Sequence, residues 1–393
     1  MEGDMVLIFQ RTLAHYRLPI FELINKITGA ILCFGKNGPQ KTFLSKVVPD
    51  FEYYRVRDFY LIPSRETLVY LDVFSPLLKY KPTIVITEFA LGILSNWFLL
   101  FLRPFFRYKL ILWSIGYNTK NGFHPKEVFR DRVRIWWMNR ADAVILYSQG
   151  DKKLISPYLK NPEKLFVAQN TLDTITLLKI RNRLDIIGKE KIKKEFMFTE
   201  KYNLIYIGRL LKEKEPDRLI NIFRVVSKRL NSSELHIVGD GPLRKQLERM
   251  AAGLKIKFWG SIVDDEKTGK LLFASDLMVM PGRLGLAIVH SFCFDCPVVS
   301  QKQGVNGPFH GPEIEYLIHG KTGYLVDYGN NQKIAEVIVD YLRDAKKQGE
   351  IRKEIRYMVK NVCSIDNMMQ GFRKAVDYVR RGQNSVEQDR NKQ

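Results

Sequence analysis

Arg209 and Lys214 follow an apolar, β-branched run that ends in Gly208, within the segment IGRLLKEK. A guanidinium offers a fork of donors that matches a phosphate, and an ammonium adds a mobile point charge. The segment therefore has the means to hold an anion above the end of a strand; an ordinary basic loop is the competing reading. Further on, MPGRLGLAIVHSF sets Pro281, Gly282 and Gly285 ahead of a helical stretch that begins near Leu286. A glycine-rich approach to a helix exposes backbone N–H groups at the positive end of its dipole, which suits a diphosphate. His290 lies on that helix and could face a ligand, although a lone helical histidine is more often a packing residue. Glu313 and Glu315 follow in GPEIEYLIHGKTGYLVDYGN; acids favour helix N-termini on their own account. VGDGP, Val238 to Pro242, is a turn leading into a helix. In the first half, His15, Tyr16 and Arg17 stand where a strand hands over to a helix, and Trp113 to Asn118, WSIGYN, carries another glycine turn. The shared chemistry is recognition of a phosphate and stabilisation of charge on it.

The elements that must position these groups are legible as alternating strands and helices. Strand candidates in the first half are MVLIFQ from Met5, AILCFG from Ala30, TIVITE from Thr83, KLILWS from Lys109, AVILYS from Ala143 and LFVAQN from Leu165. Helical periodicity fills LPIFELINKI from Leu18 and PKEVFRDRVRIWWMNR from Pro125. A second series holds NLIYIGR from Asn203, LHIVGD from Leu235, IKFWGS from Ile256, LMVMPG from Leu277 and PVVSQ from Pro297, with helices from Asp217, Pro242 and Leu286. Such alternation predicts βαβ units and parallel sheets. The expected organisation is a Rossmann-like domain over 1–175, a charged linker over 176–202, and a second Rossmann-like domain over 203–362. A helix over 363–381 follows, then a disordered polar tail over 382–393. Ligands of doubly wound sheets sit at the carboxyl ends of strands near the switch point, and the natural site of two such domains is the cleft between them.

Composition narrows the function classes. A chain of 393 residues with 46% hydrophobic side chains is long enough for two cored domains. Its net charge of +21 seeks anions: nucleic acid, phosphorylated substrates or an anionic membrane. No nucleic-acid recognition motif accompanies the charge. The four cysteines, Cys33, Cys293, Cys296 and Cys363, are too few for a disulfide scaffold. The lone Cys-x-x-Cys lies in an apolar run and reads as structural, not zinc-binding. The N-terminal sequence is not that of a signal peptide, and the longest apolar run, Phe89 to Leu102, is shorter than the ~20 residues that span a bilayer. The expected location is the cytoplasm. The same run reads either as a core helix of the first domain or, with Lys79, Lys81, Arg103, Arg107 and Lys109 nearby, as a surface resting on the inner face of an anionic membrane.

Taken in order, IGRLLKEK, HIVGDGP, ASDLMVMPGRLGLAIVHSF and GPEIEYLIHGKTGYLV resemble the family-4 retaining glycosyltransferases of GT-B fold, across roughly residues 203–345. LAHYRLPIF, RADAVILYS and AQNTLDT extend the resemblance into the first half. It implies a GT-B architecture, two tandem Rossmann-like doubly wound domains facing a central cleft, with the helix over 363–381 able to cross back to the first domain. Arg209 and Lys214 would neutralise the donor diphosphate, with Gly208 at the strand end. The backbone of Gly282, Leu284, Gly285 and Leu286 would cradle those phosphates. His290 would hold the ribose hydroxyls, and the strand end from Trp259 to Ile262 would lie near the base. The family's usual Glu-x7-Glu reads Gly282 and His290 here, in the form PGxxGLxxxHS, so Glu313 becomes the candidate for the missing donor contact. Ile115 occupies the place of a loop histidine found in many relatives, which turns attention to His15.

The resemblance further implies transfer of a hexose-type sugar from a nucleotide-sugar donor to a glycan or lipid-linked acceptor in surface polysaccharide or lipopolysaccharide synthesis. Configuration would be retained, the leaving phosphate accepting the acceptor's proton. No Asp-x-Asp cluster stands at a matching site, so no cofactor and no essential metal are expected. Competing readings are a nucleotide-sugar epimerase of the same fold, separable by product analysis without acceptor, and a non-enzymatic anion- or nucleic-acid-binding homologue, separable by salt-titrated binding. An inactive homologue is a third, which donor hydrolysis would argue against.

Overall fold

The computed structural model describes residues 4–35, 49–62 and 67–390, with the side chains of 62, 67 and 383–390 left aside. The chain divides into two units, one comprising 1–169 and 366–393, the other 170–365.

The first unit is built on a seven-stranded sheet in the order β3-β2-β1-β6-β7-β8-β9. Its strands are β1 (Val6–Gln10), β2 (Ile31–Gly35), β3 (Tyr53–Val56), β6 (Ile84–Glu88), β7 (Lys109–Ser114), β8 (Ala143–Leu146) and β9 (Leu165–Val167), and every pairing is parallel. β4 (Asp58–Ile62) and β5 (Thr67–Leu71) form a separate antiparallel pair. β1, β2 and β8 are buried along their whole length, the signature of a sheet covered on both faces, which is why they read as unbroken apolar runs. β1 is flanked by β2 on one side and β6 on the other, so the chain reverses its direction of winding between β1 and β6.

The second unit repeats the plan with six parallel strands, β12-β11-β10-β13-β14-β15. They are β10 (Tyr202–Ile207), β11 (Ser233–Val238), β12 (Ile256–Gly260), β13 (Leu277–Met280), β14 (Val298–Gln301) and β15 (Gly323–Val326). Here the switch point lies between β10 and β13. The helix Pro216–Arg229 shows how sequence dictates packing: Leu219, Ile220, Ile222, Phe223 and Val226 are buried on one face, and Pro216 opens the first turn.

Two expectations are corrected. Residues 176–202 are not a linker. They hold the helices Thr174–Ile187 and Lys189–Glu195, whose Leu177, Ile180, Leu184 and Ile192 are buried in the second unit's core. Their charges lie on the outer faces and mask an amphipathic pattern. The last helix runs from Ile365 to Arg390 and so takes in most of the segment read as a disordered tail; its Glu, Gln and Arg residues are good helix formers and no proline interrupts them. Residues 391–393 of that tail lie outside the described residues. The final helix belongs to the first unit from Asp366 onward, where Phe372 meets Trp113 edge-on (4.8 Å) and Tyr378 meets Phe166 (5.4 Å).

Candidate functional site

In the second unit the loops that follow β10 and β13, the two strands at the switch point, are locked together. A Cβ on Gly282 would sit 2.2 Å from the Lys214 carbonyl carbon and 2.4 Å from its oxygen. Only glycine permits this approach. The Arg283 N–H donates to the Glu213 carbonyl (2.9 Å), and the Lys214 ammonium donates to the Arg283 carbonyl (2.5 Å). Lys214 and Gly282, far apart in sequence, are thus neighbours at the carboxyl edge of the sheet.

The charge there is mixed, with cations in excess of carboxylates. Burial pushes the Lys214 ammonium down to about 8, and the positive charges of Arg283 and Arg209 push the same way against Glu213 and Glu313. A cationic group held in this state gains on meeting an anion that restores its ordinary value. Arg209 is exposed on the loop just beyond Gly208. Gly208 lies under close backbone cover: a Cβ on Gly239 would fall 1.9 Å from the Gly208 carbonyl oxygen, so the loops after β10 and β11 also touch.

The helix Ala287–Cys293 starts beside this cluster. The N–H groups of Gly285, Leu286 and Ala287 open it, where first-turn donors lack intrahelical acceptors. Leu284 differs from its expected role. Its N–H is donated to His310 Nδ1 (3.0 Å) and its carbonyl accepts from Gly311 N–H (2.8 Å). Both of its backbone groups are spent on holding the turn, so it shapes that turn without offering a free donor. His310 is held in turn through Nε2 by the Gln301 carbonyl (2.8 Å), and burial pushes it down to about 4. It is therefore a neutral imidazole with its proton on Nε2, the tautomer that leaves Nδ1 free to accept from Leu284. The Gln301 side chain completes the brace: it donates to the Pro281 carbonyl (2.8 Å) and accepts from Gly329 N–H (2.7 Å).

Glu313 stands in the short helix Pro312–Tyr316 and is only 3% exposed. The Asn170 amide donates to its Oε1, and its Oε2 lies 3.9 Å from where a Gly285 Cβ would be. The acid thus sits directly behind the glycine turn. The Tyr316 hydroxyl donates to the Asn170 carbonyl (2.9 Å), tying that short helix to the segment AQNTLDT.

His290 is on the same helix as the cradle, with Nε2 3.9 Å from Asp265 Oδ1 and its ring 5.7 Å from Phe294. Burial pushes it down to about 4. The Trp259 ring is turned away from an open role: its N–H donates to His236 Nδ1 (3.2 Å), and Phe198 stacks on the other side of that imidazole at 3.8 Å. Ile262, just beyond that strand end, is half-buried.

The first unit carries its own polar cluster at the matching edge, after β1 and β6. Arg11 grips Glu88 through its side chain (2.9 Å from Nε) and its backbone N–H (3.1 Å). Burial alone would raise the Glu88 carboxyl, but the Arg11 charge outweighs it and holds the group below its usual range. Arg17 lies over the rings of Trp113 (5.4 Å) and Tyr147 (5.7 Å). His15 is exposed beside Tyr16 in the turn His15–Arg17. Ile115 is half-buried just before Gly116, whose positive φ of 94° suits glycine. Sequence reading missed Arg283, Gln301, His310, Asn170, Arg11 and Glu88. For His310 the only signal was a histidine set in a Gly/Pro-rich loop.

The family described as glycosyl transferases group 1 matches residues 188–358, a span that contains every second-unit residue of this site except Asn170. The chain is 38% identical over 99 residues to a GDP-mannose-dependent alpha-(1-6)-phosphatidylinositol dimannoside mannosyltransferase of Mycobacterium tuberculosis, a stretch covering 24% of this chain and 26% of that protein. The chain therefore matches about a quarter of that relative's length. It is 26% identical over 269 residues to an uncharacterized glycosyltransferase of Methanocaldococcus jannaschii, covering 63% of this chain and 64% of the other. Among solved structures it resembles the Anabaena protein HepE in complex with UDP, at a TM-score of 0.69 and 17% identity over 95% of this chain and 99% of that one. The fold is that of the GT-B glycosyltransferases, two Rossmann-like domains in one chain, with a glycosyl transferases group 1 match running through the second.

Proposed function

We propose that the chain is a glycosyltransferase that moves a hexose-type sugar from a nucleotide-sugar donor to a glycan or lipid-linked acceptor, with retention of configuration, in the synthesis of a surface polysaccharide. The observation that carries this reading is the junction of Lys214 with Gly282–Arg283 at the β10/β13 switch point, where three cations crowd the start of a helix. A departing nucleoside diphosphate accumulates negative charge, and donors fixed at that position stabilise it without reorganising. Each well-placed donor is worth on the order of 3–4 kcal/mol in the transition state. Arg209 and Lys214 take the phosphates together with the Gly285 and Leu286 N–H groups, and Gly208 lets them approach. Glu313, behind Gly285, orients the sugar end of the donor. His290 borders the ribose. The departing phosphate accepts the acceptor's proton, so no separate protein base is required. The mycobacterial relative's use of GDP-mannose, and a complex of HepE with UDP-glucose, support the donor class and name the first two ligands to try.

The test is thermal stabilisation by a panel of nucleoside diphosphates and nucleotide sugars, GDP-mannose and UDP-glucose included, with and without chelator, for the wild type and Arg209→Ala. A ligand at 100 times its dissociation constant adds about 2.7 kcal/mol. One nucleotide should stabilise the wild type and lose most of its effect in the variant. No stabilisation by any member of the panel would sink the reading.

A further inference from the structure

The helix Ser95–Phe106 is packed with its polar side inward. Ser95 donates to the Leu71 carbonyl (2.9 Å), Asn96 accepts from Thr87 (2.8 Å) and donates to the Glu88 carbonyl (3.2 Å), and Leu99 is fully buried. Its outward side is phenylalanine: Phe98 is 50% exposed, Phe101 66% and Phe105 81%. The spacing of these three keeps them on one helical face. The apolar surface continues beyond the helix. Phe98 touches Tyr70 (5.6 Å), and opposite Tyr70 in the β4–β5 ladder stands Phe59, itself 61% exposed. Phe106 touches Phe74 (6.0 Å), and Trp97 touches Trp136 (5.9 Å). Phe59, Phe74, Phe98, Phe101, Phe105 and Trp136 are thus exposed on or beside this helix, and apolar surface gathered in this way on a fold marks a contact with something apolar.

Cations rim the patch. A hollow of about 670 Å³ at its edge is lined by Phe101, Arg103, Arg107, Lys109, Trp136 and Arg140, among others. Asp142 pairs with Arg103 (2.7 Å) and Lys109 (3.4 Å). Arg140 lies flat over the Trp136 ring at 3.8 Å. Among the described residues neither Arg107 nor Arg140 has an acidic partner. Aromatic rings beside unpaired guanidinium groups match the boundary of a lipid leaflet, where rings enter at the headgroup level and cations meet phosphate. A second copy of the chain fits worse. A twofold contact through this face would set the Arg107 and Arg140 rims against themselves.

We propose that this face of the first unit docks on the surface of an anionic phospholipid bilayer, with Phe101 and Phe105 entering the leaflet and Arg107 and Arg140 on lipid phosphates. The proposal stands independently of the donor chemistry above. It is tested by co-sedimentation of the full chain with vesicles of phosphatidylcholine alone and of phosphatidylcholine mixed with phosphatidylglycerol, at low and high salt. The expected result is salt-sensitive binding to the anionic vesicles, at least about tenfold stronger than to the neutral ones. Phe101→Ser/Phe105→Ser and Arg107→Glu/Arg140→Glu should each weaken it by about tenfold or more. Lys346→Glu/Lys353→Glu, the same charge change on exposed residues of the second unit, should change it less than about twofold. Unchanged melting temperatures and unchanged nucleotide stabilisation would show that the variants are folded and that the donor site is separate. Absence of binding to either vesicle, or binding that neither patch variant alters, overturns the proposal. So does a dimer in sedimentation velocity that Phe101→Ser/Phe105→Ser dissociates while vesicles go unbound.

Discussion

Lys214 is protonated at neutral pH but holds its proton less tightly than a free lysine, because burial and the neighbouring Arg283 and Arg209 charges oppose its ammonium. With a folded value of about 8 against an ordinary 10.5, the folded chain binds fewer protons than the unfolded one between those values. Stability without ligand should therefore rise as pH climbs through that window. Nucleoside diphosphate affinity should move the other way, falling by up to about tenfold per pH unit above about pH 8 as the ammonium is lost. Isothermal titration of the tightest-binding nucleotide from neutral to alkaline pH checks this, and Lys214→Arg should flatten both trends. Equal affinity across the range would remove Lys214 from the phosphate site. His310 is pushed in the same direction, in a lower pH window. Its folded value of about 4 lies below the ordinary 6.5, so stability drawn from its neutral form is present above pH 6.5 and is lost as pH falls toward 4. Near neutral pH the Leu284 brace is indifferent to protons.

At the scale of elements, Gly282 sits so close on the Lys214 backbone that an acid there has no room for its first side-chain atom. Gly282→Glu should push the two loops apart and weaken nucleotide affinity by at least about tenfold, the backbone clash being of the kind that costs about 1–3 kcal/mol or more. A binding isotherm together with circular dichroism distinguishes this from global unfolding, and tighter binding would refute it. The same feature shows what the sequence made legible. Long buried strands such as β1 and β8 are visible because both faces are covered and the apolar run is unbroken. β3 escaped notice because it reads Tyr-Tyr-Arg-Val with its first residues partly open, and β4 and β5 form only a small pair of their own. Arg209, Lys214 and the glycine turn could be picked out by residue type alone. His310 and Gln301 could not: each matters only through a contact with a loop distant in sequence, as His310 does with Leu284. Trp259 was misleading for the converse reason, since an aromatic at a strand end says nothing about the imidazole that fixes its ring.

At the scale of the whole molecule, the last helix is part of the first unit's structure. A Cβ on Gly371 would fall 2.1 Å from the Val167 carbonyl oxygen, so the helix lies almost on the backbone of β9, and Phe372, Ala375, Val376 and Val379 are buried along it. Gly371→Leu should lift it off. Calorimetry should show the melting of the first unit lowered by about 1–3 kcal/mol or more, with nucleotide stabilisation of the second unit retained. A variant that melts like the wild type would mean that the helix contributes little.

That arrangement also bears on how the protein is made. The first 169 residues and the segment from 366 form one unit, with the whole of the second unit in between. At about 5–20 residues per second, a ribosome takes on the order of 10–40 s to cross that interval. Through it the nascent first unit waits with the Trp113 and Phe166 surface that the last helix covers still bare. The half made first is thus the half finished last, and in that interval its uncovered surface is open to wrong partners and chaperones alike.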